Sequence, residues 1–218
     1  MPASPAPCTP STSRARSSAG SRRSEGGRSV TADHDPATGA EATTAVLGLG
    51  NVLQGDDALG PTVVAHLAAR FTFDDTVQVE DLGTPGLDLH PHLAGRTALI
   101  MVDTVRADGP AGELRLYRKD DILRHGPPVR LGPHDPSFKE ALLALQFAGG
   151  DPDEVLLVGV IPASTEASTD LSPPVAAAVE PAIAAVCEEL ARLGHPAEAR
   201  AVPDAPHLWW RAPADGSG

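Results

Sequence analysis

Cysteine is nearly absent from this chain, aromatic side chains make up only 3% of it, and no long apolar run occurs. Each shortage removes a class of protein. Two cysteines, Cys8 and Cys187, are too few for a disulfide framework, and no zinc-ribbon ligand set accompanies them. That usage fits a reducing compartment, the cytoplasm. No stretch approaches the roughly eighteen consecutive apolar residues of a spanning helix. The N-terminal arginines are followed by no apolar segment of the kind a secretory signal needs. Positive charge is also short. Seventeen Lys and Arg stand against 29 Asp and Glu, a net charge of −12. That balance argues against nucleic acid, whose phosphates require a basic face, and against an anionic membrane surface. It suits a cation site or a basic protein partner. Two catalytic signatures are missing as well. There is no Gly-x-Ser-x-Gly elbow and no His-Glu-x-x-His helix.

What is present is enough for one soluble domain with a hydrophobic core: 218 residues, 41% of them apolar and 21% charged. Residues 1–42 are mostly Ser, Pro, Ala, Gly and Arg. They bury too little surface to offset their ordering entropy, so a disordered tail is expected there. Residues 195–218, rich in proline, read as a flexible C-terminal tail, with Trp209 and Trp210 as a local patch over the core edge. Residues 43–194 between them form the expected domain.

In that span strands and helices alternate. Apolar strands are expected at 44–49, 97–102 and 154–160, and alternating ones at 76–80 and 113–117. Helices are expected at 58–71, with Pro61 in its first turn, at 137–147 after Asp135 and Pro136, and at 173–193. Ser172 can cap the last of these and Gly194 can end it, while Pro181 should kink it. The pattern implies a three-layer helix-sheet-helix α/β fold. Its twisted sheet is mostly parallel, and the edge strand at 113–117 is free to run antiparallel.

Candidate chemistry begins where the first strand ends, at Gly48-Leu49-Gly50-Asn51-Val52-Leu53-Gln54-Gly55-Asp56-Asp57. Strand, Gly-x-Gly and helix suggest a dinucleotide fold, but the third glycine of that fingerprint is replaced by Leu53. Asp56 and Asp57 would also repel a phosphate at the helix start. The glycines serve equally well to turn the loop over the sheet and set Asp57 at the strand's carboxyl end. Asp103 follows the most apolar strand and should emerge on the same rim. Each aspartate alone reads as a helix cap or turn residue. Together they suit a cation, because adjacent carboxylates repel unless a proton or cation sits between them. A histidine would complete an oxygen-oxygen-nitrogen site for nickel, zinc or a similar ion. Spacing alone does not separate His134 from His90 or His92.

The motif from Gly48 to Gly60 resembles the opening motif of the hydrogenase maturation proteases. Four further segments resemble that family in order. They are Asp81-Leu82-Gly83-Thr84-Pro85-Gly86, Val102-Asp103-Thr104-Val105, Pro133-His134, and Leu157 to Pro162 followed by Leu171-Ser172-Pro173. The likeness spans about residues 44–193 and neither tail. It implies an endopeptidase that removes the C-terminal extension of a nickel-loaded [NiFe]-hydrogenase large-subunit precursor. It implies Asp57, Asp103 and His134 as the metal ligands and catalytic residues, and a substrate loop region of Gly50, Asn51, Asp56, Asp81, Thr84 and Gly86. Asp56 or Asp81 could serve as a base. The nickel would come with the substrate, and zinc or cadmium could occupy the site in vitro. Two departures stand out: Ala58 where many members have glycine, and Asp57 where some have the longer glutamate. A non-catalytic nickel-sensing chaperone module and a Rossmann-like nucleotide binder are the rival readings.

Overall fold

The computed structural model describes residues 43–85, 89–125 and 138–211. These all fall in one compact unit. Strand β1 (Thr44–Leu49) runs into a short 3-10 turn at Gly55–Ala58 and then helix α1 (Leu59–Arg70). There follow β2 (Phe71–Thr72), β3 (Val77–Gly83), α2 (Leu89–Leu93) and β4 (Ala98–Thr104). After these come β5 (Leu114–Arg118), α3 (Lys119–His125), α4 (Phe138–Ala148), β6 (Glu154–Val160), α5 (Pro173–Arg192) and β7 (Glu198–Ala199).

The main sheet has the order β3-β1-β4-β6-β5. Its first four strands are parallel, and β5 runs antiparallel to β6 at the edge. This is the expected α/β architecture. Because both faces are covered, the central strands are apolar at nearly every position instead of alternating. Ala45, Leu47, Leu99, Met101 and Leu157 face a core shared with α2, α3 and α4. Val46, Ile100, Val102, Leu156 and Val158 face α1 and α5. On α1 the expected stripe of Leu59, Val63 and Leu67 is fully buried.

The strand order also fixes where a ligand crevice lies. From β1 the chain moves outward to β3, and from β4 it moves the other way, toward β6. The carboxyl ends of β1 and β4 therefore flank the point where the connections diverge, the place at which open parallel sheets bind ligands. Gly60 allows α1 to lie close over this end. A Cβ there would meet backbone atoms, Leu49 N and Val102 O both at 2.5 Å. The close helix-strand packing that a nucleotide fingerprint assigns to its third glycine is here supplied by Gly60.

Two local expectations are corrected. The first helix begins at Leu59, preceded by the 3-10 turn that carries Asp56 and Asp57, and Asp57 does not cap it. Ser172 stands at the N-cap position of α5 but makes no capping hydrogen bond; its hydroxyl donates to Asp56 Oδ2, and Pro173 and Pro174 bring no N–H to the first two helical positions. Beyond α5 the chain has structure of its own. β7 pairs antiparallel with β2, and Trp209 and Trp210 contact each other edge to face at 5.8 Å. No helix among the described residues is long and apolar enough to cross a membrane.

Candidate active site

The loop after β1 is built by hydrogen bonds that leave it little freedom. Gly50 has φ +134°, and a Cβ there would overlap the Asp57 carbonyl oxygen, so only glycine lets the turn close. Its N–H donates to Gly83 O at 2.9 Å, tying the ends of β1 and β3 together. Asn51 accepts from Leu53 N–H through its side chain and donates its own N–H to Asp57 Oδ2 at 2.7 Å. The loop also pairs with the segment after β6: Gly55 N–H donates to Ser168 O, Ser168 N–H to Leu53 O, and Asp56 N–H to Ser164 O. Gln54 and Asp57 N–H groups are taken by Asn51 O and Gln54 O. The amides a bound phosphate would require are thus already occupied, which removes the physical basis of the nucleotide reading.

Asp56 and Asp57 are adjacent in sequence and opposite in situation. Asp56 is 1% exposed and accepts four hydrogen bonds. They come from Ala163 N–H (2.7 Å), Ser164 N–H (3.0 Å), Ser172 N–H (2.6 Å) and the Ser172 hydroxyl (2.9 Å). Burial works against its ionisation. The donors, Ser164 and Ser172 foremost, outweigh burial and hold the carboxyl below its ordinary range. With its oxygens so engaged, Asp56 anchors the loop to the start of α5 and is poorly placed to act as a base. Asp57 is partly exposed and points the other way. Its Oδ1 accepts the Thr104 hydroxyl at 3.1 Å.

Asp103 lies near the end of β4, 5% exposed, and its Oδ1 accepts Thr104 N–H at 2.7 Å. Burial, and after it the negative charge of Asp57, push its carboxyl well above the ordinary range, and the Thr104 N–H offsets this only in part. Two acids from separate strand ends therefore meet at one rim, as expected. Among the described residues the Thr104 N–H is the one donor to Asp103. A proton or a divalent cation would relieve both the repulsion and the burial of charge. Asp81, near the end of β3, is exposed, and its Oδ1 accepts Gly83 N–H at 2.9 Å. Thr84 is exposed beside it. Gly86 and His134 lie outside the described residues. Within those, no three metal-binding side chains converge, and His90 and His92 sit on α2. Sequence reasoning missed Thr104, which touches both acids. Its only signal was a hydroxyl residue directly after a strand-end aspartate.

Residues 61–189 match the family model for hydrogenase maturation protease. The hydrogenase expression/formation protein HupM of Azotobacter chroococcum is 36% identical over 158 residues, 72% of this chain and 76% of HupM. The hydrogenase 2 maturation protease of Escherichia coli is 35% identical over 149 residues, 68% of this chain and 91% of that protein. Among solved structures, the hydrogenase maturating endopeptidase HybD of E. coli superposes with a TM-score of 0.66 at 34% identity. That match covers 72% of this chain and 97% of HybD.

Proposed function

This chain belongs to the hydrogenase maturation protease family, and from that premise we propose that it is an endopeptidase acting on the nickel-loaded large-subunit precursor of a [NiFe] hydrogenase. It would remove the precursor's C-terminal extension, in the cytoplasm. The observation that supports this most directly is the convergence of Asp57 and Asp103 on one rim of the sheet, joined through Thr104.

In this reading the nickel belongs to the substrate. Asp57 and Asp103 offer two oxygen ligands, and His134 adds a nitrogen, a mixed donor set suited to nickel. Burial and the Asp57 charge both disfavour the ionised form of Asp103, and a cation held by the pair would favour it, so recognition would couple metal charge to a buried acid. A precursor without nickel would bring no such charge. Nickel near the scissile bond can polarise its carbonyl. Asp81, near the end of β3, is the carboxylate to which we assign the proton from the attacking water. Asp56 holds the loop.

The test is incubation of the purified chain with nickel-loaded and nickel-free precursor, read by mass spectrometry. Loss of the C-terminal peptide from the loaded form alone is expected. Binding without cleavage would instead identify a chaperone module.

A further inference from the structure

We propose that Thr104 is a positioning residue that sets the geometry of the acid pair, acting through Asp57 and Asp103 and not on the substrate itself. The inference rests on the function proposed above for that pair. Thr104 ends β4 and is hydrogen-bonded to both carboxylates at once. Its backbone N–H donates to Asp103 Oδ1 at 2.7 Å and its hydroxyl to Asp57 Oδ1 at 3.1 Å. The two acids need such a clamp. Asp103 is fixed by its strand and by burial, but Asp57 sits on a short 3-10 turn and is partly exposed. When both are ionised, like charge pushes it away from Asp103, toward water.

Thr104 opposes that drift with a side chain that is stiff at χ1 because it is β-branched. Asn51 N–H holds the other oxygen, Asp57 Oδ2, at 2.7 Å. Asp57 is thereby gripped at both oxygens, between the end of β1 and the end of β4. An ionised carboxylate has about four lone-pair sites, so one hydrogen bond per oxygen leaves capacity for a cation. Thr104 thus fixes the direction of those remaining lone pairs. Partners of this kind, which orient a ligand without being one, typically change metal affinity by about 10–100-fold when removed.

The experiment compares Thr104→Val and Thr104→Ser in the full chain. Valine keeps the shape and the backbone N–H but lacks the hydroxyl, whereas serine keeps the hydroxyl. Four quantities are read: the melting temperature, Ni2+ affinity by calorimetry, and KM and kcat on nickel-loaded precursor. Thr104→Val is expected to melt close to wild type, to bind Ni2+ about 10–100-fold more weakly and to raise KM. Thr104→Ser should recover most of both. If free Ni2+ gives no heat with any variant, KM decides alone. Wild-type behaviour of Thr104→Val in every readout overturns the proposal. So does a Thr104→Ser variant as impaired as the valine, which would assign the effect to packing of the methyl group. Failure of the acid-pair reading looks different: Asp57→Ala and Asp103→Ala would then process precursor at the wild-type rate.

Discussion

Replacing Asp56 by alanine tests whether this carboxylate holds the active-site loop. The substitution removes the acceptor of four hydrogen bonds at a position that is 1% exposed. The Ser172 hydroxyl can rotate to another acceptor, but the N–H groups of Ala163, Ser164 and Ser172 are fixed by the backbone. Each buried donor left unpaired costs about 1–3 kcal/mol. Water entering the vacated space recovers part of that, so a net loss of about 3–5 kcal/mol is expected. Domains of this kind have about 5–15 kcal/mol of stability in total. With a urea m-value of about 2 kcal/mol/M, the unfolding midpoint should fall by roughly 2 M. Asp56→Asn should lose less, because its carbonyl oxygen can still accept.

Acid supplies a second signature. The folded-state carboxyl lies below its unfolded value of 3.8, so its contribution is fully present above that value. It disappears as pH falls through the folded value, and the gap between wild type and Asp56→Asn should narrow over that range. An Asp56→Ala midpoint within about 0.3 M of wild type, far inside the shift worked from these bonds, would refute the reasoning.

Three further outcomes are expected. Gly60→Ala should destabilise by more than about 4 kcal/mol or prevent folding, since its Cβ meets only backbone, at Leu49 and Val102; thermal melting of the variant checks this. Asp103→Asn should keep the wild-type melting temperature within a few degrees and lose precursor processing, measured by mass spectrometry. Glu189, buried on α5 and bonded by Arg192 and Arg118, has its carboxyl brought down to about 2 by those two donors against the opposing effect of burial. Its contribution is complete above the ordinary 4.5 and fades toward pH 2. Because both arginines are about half exposed, Glu189→Gln should cost only about 1–2 kcal/mol at neutral pH, read from urea unfolding.

Element type was legible in the chain because both of its signals are local. The continuous apolar runs at β1, β4 and β6, short and bounded by turn residues, read as strands buried on two faces. The helical stripe of α5 from Val175 to Leu190 followed from side-chain period alone. The glycines around Gly50 and the aspartates at two strand ends pointed to the rim, since parallel strands joined by right-handed crossovers share their carboxyl ends.

What the chain could not disclose were partnerships between distant segments. Asp56 and Asp57 are identical in kind and adjacent, so nothing local distinguishes the buried carboxylate from the partly exposed one. The difference arises when the segment after β6 folds across the loop and presents three backbone N–H groups to one carboxylate only. Ser172 looked like a helix cap for the same reason, until Asp56 claimed its hydroxyl. Thr104 came to bridge the two acids only when the first strand's loop arrived beside it. Periodicity and turn chemistry act over a few residues and are written in the sequence. Hydrogen-bond choice at the crevice is a competition among groups as far as 116 positions apart, and only the assembled sheet brings those groups within reach of one another.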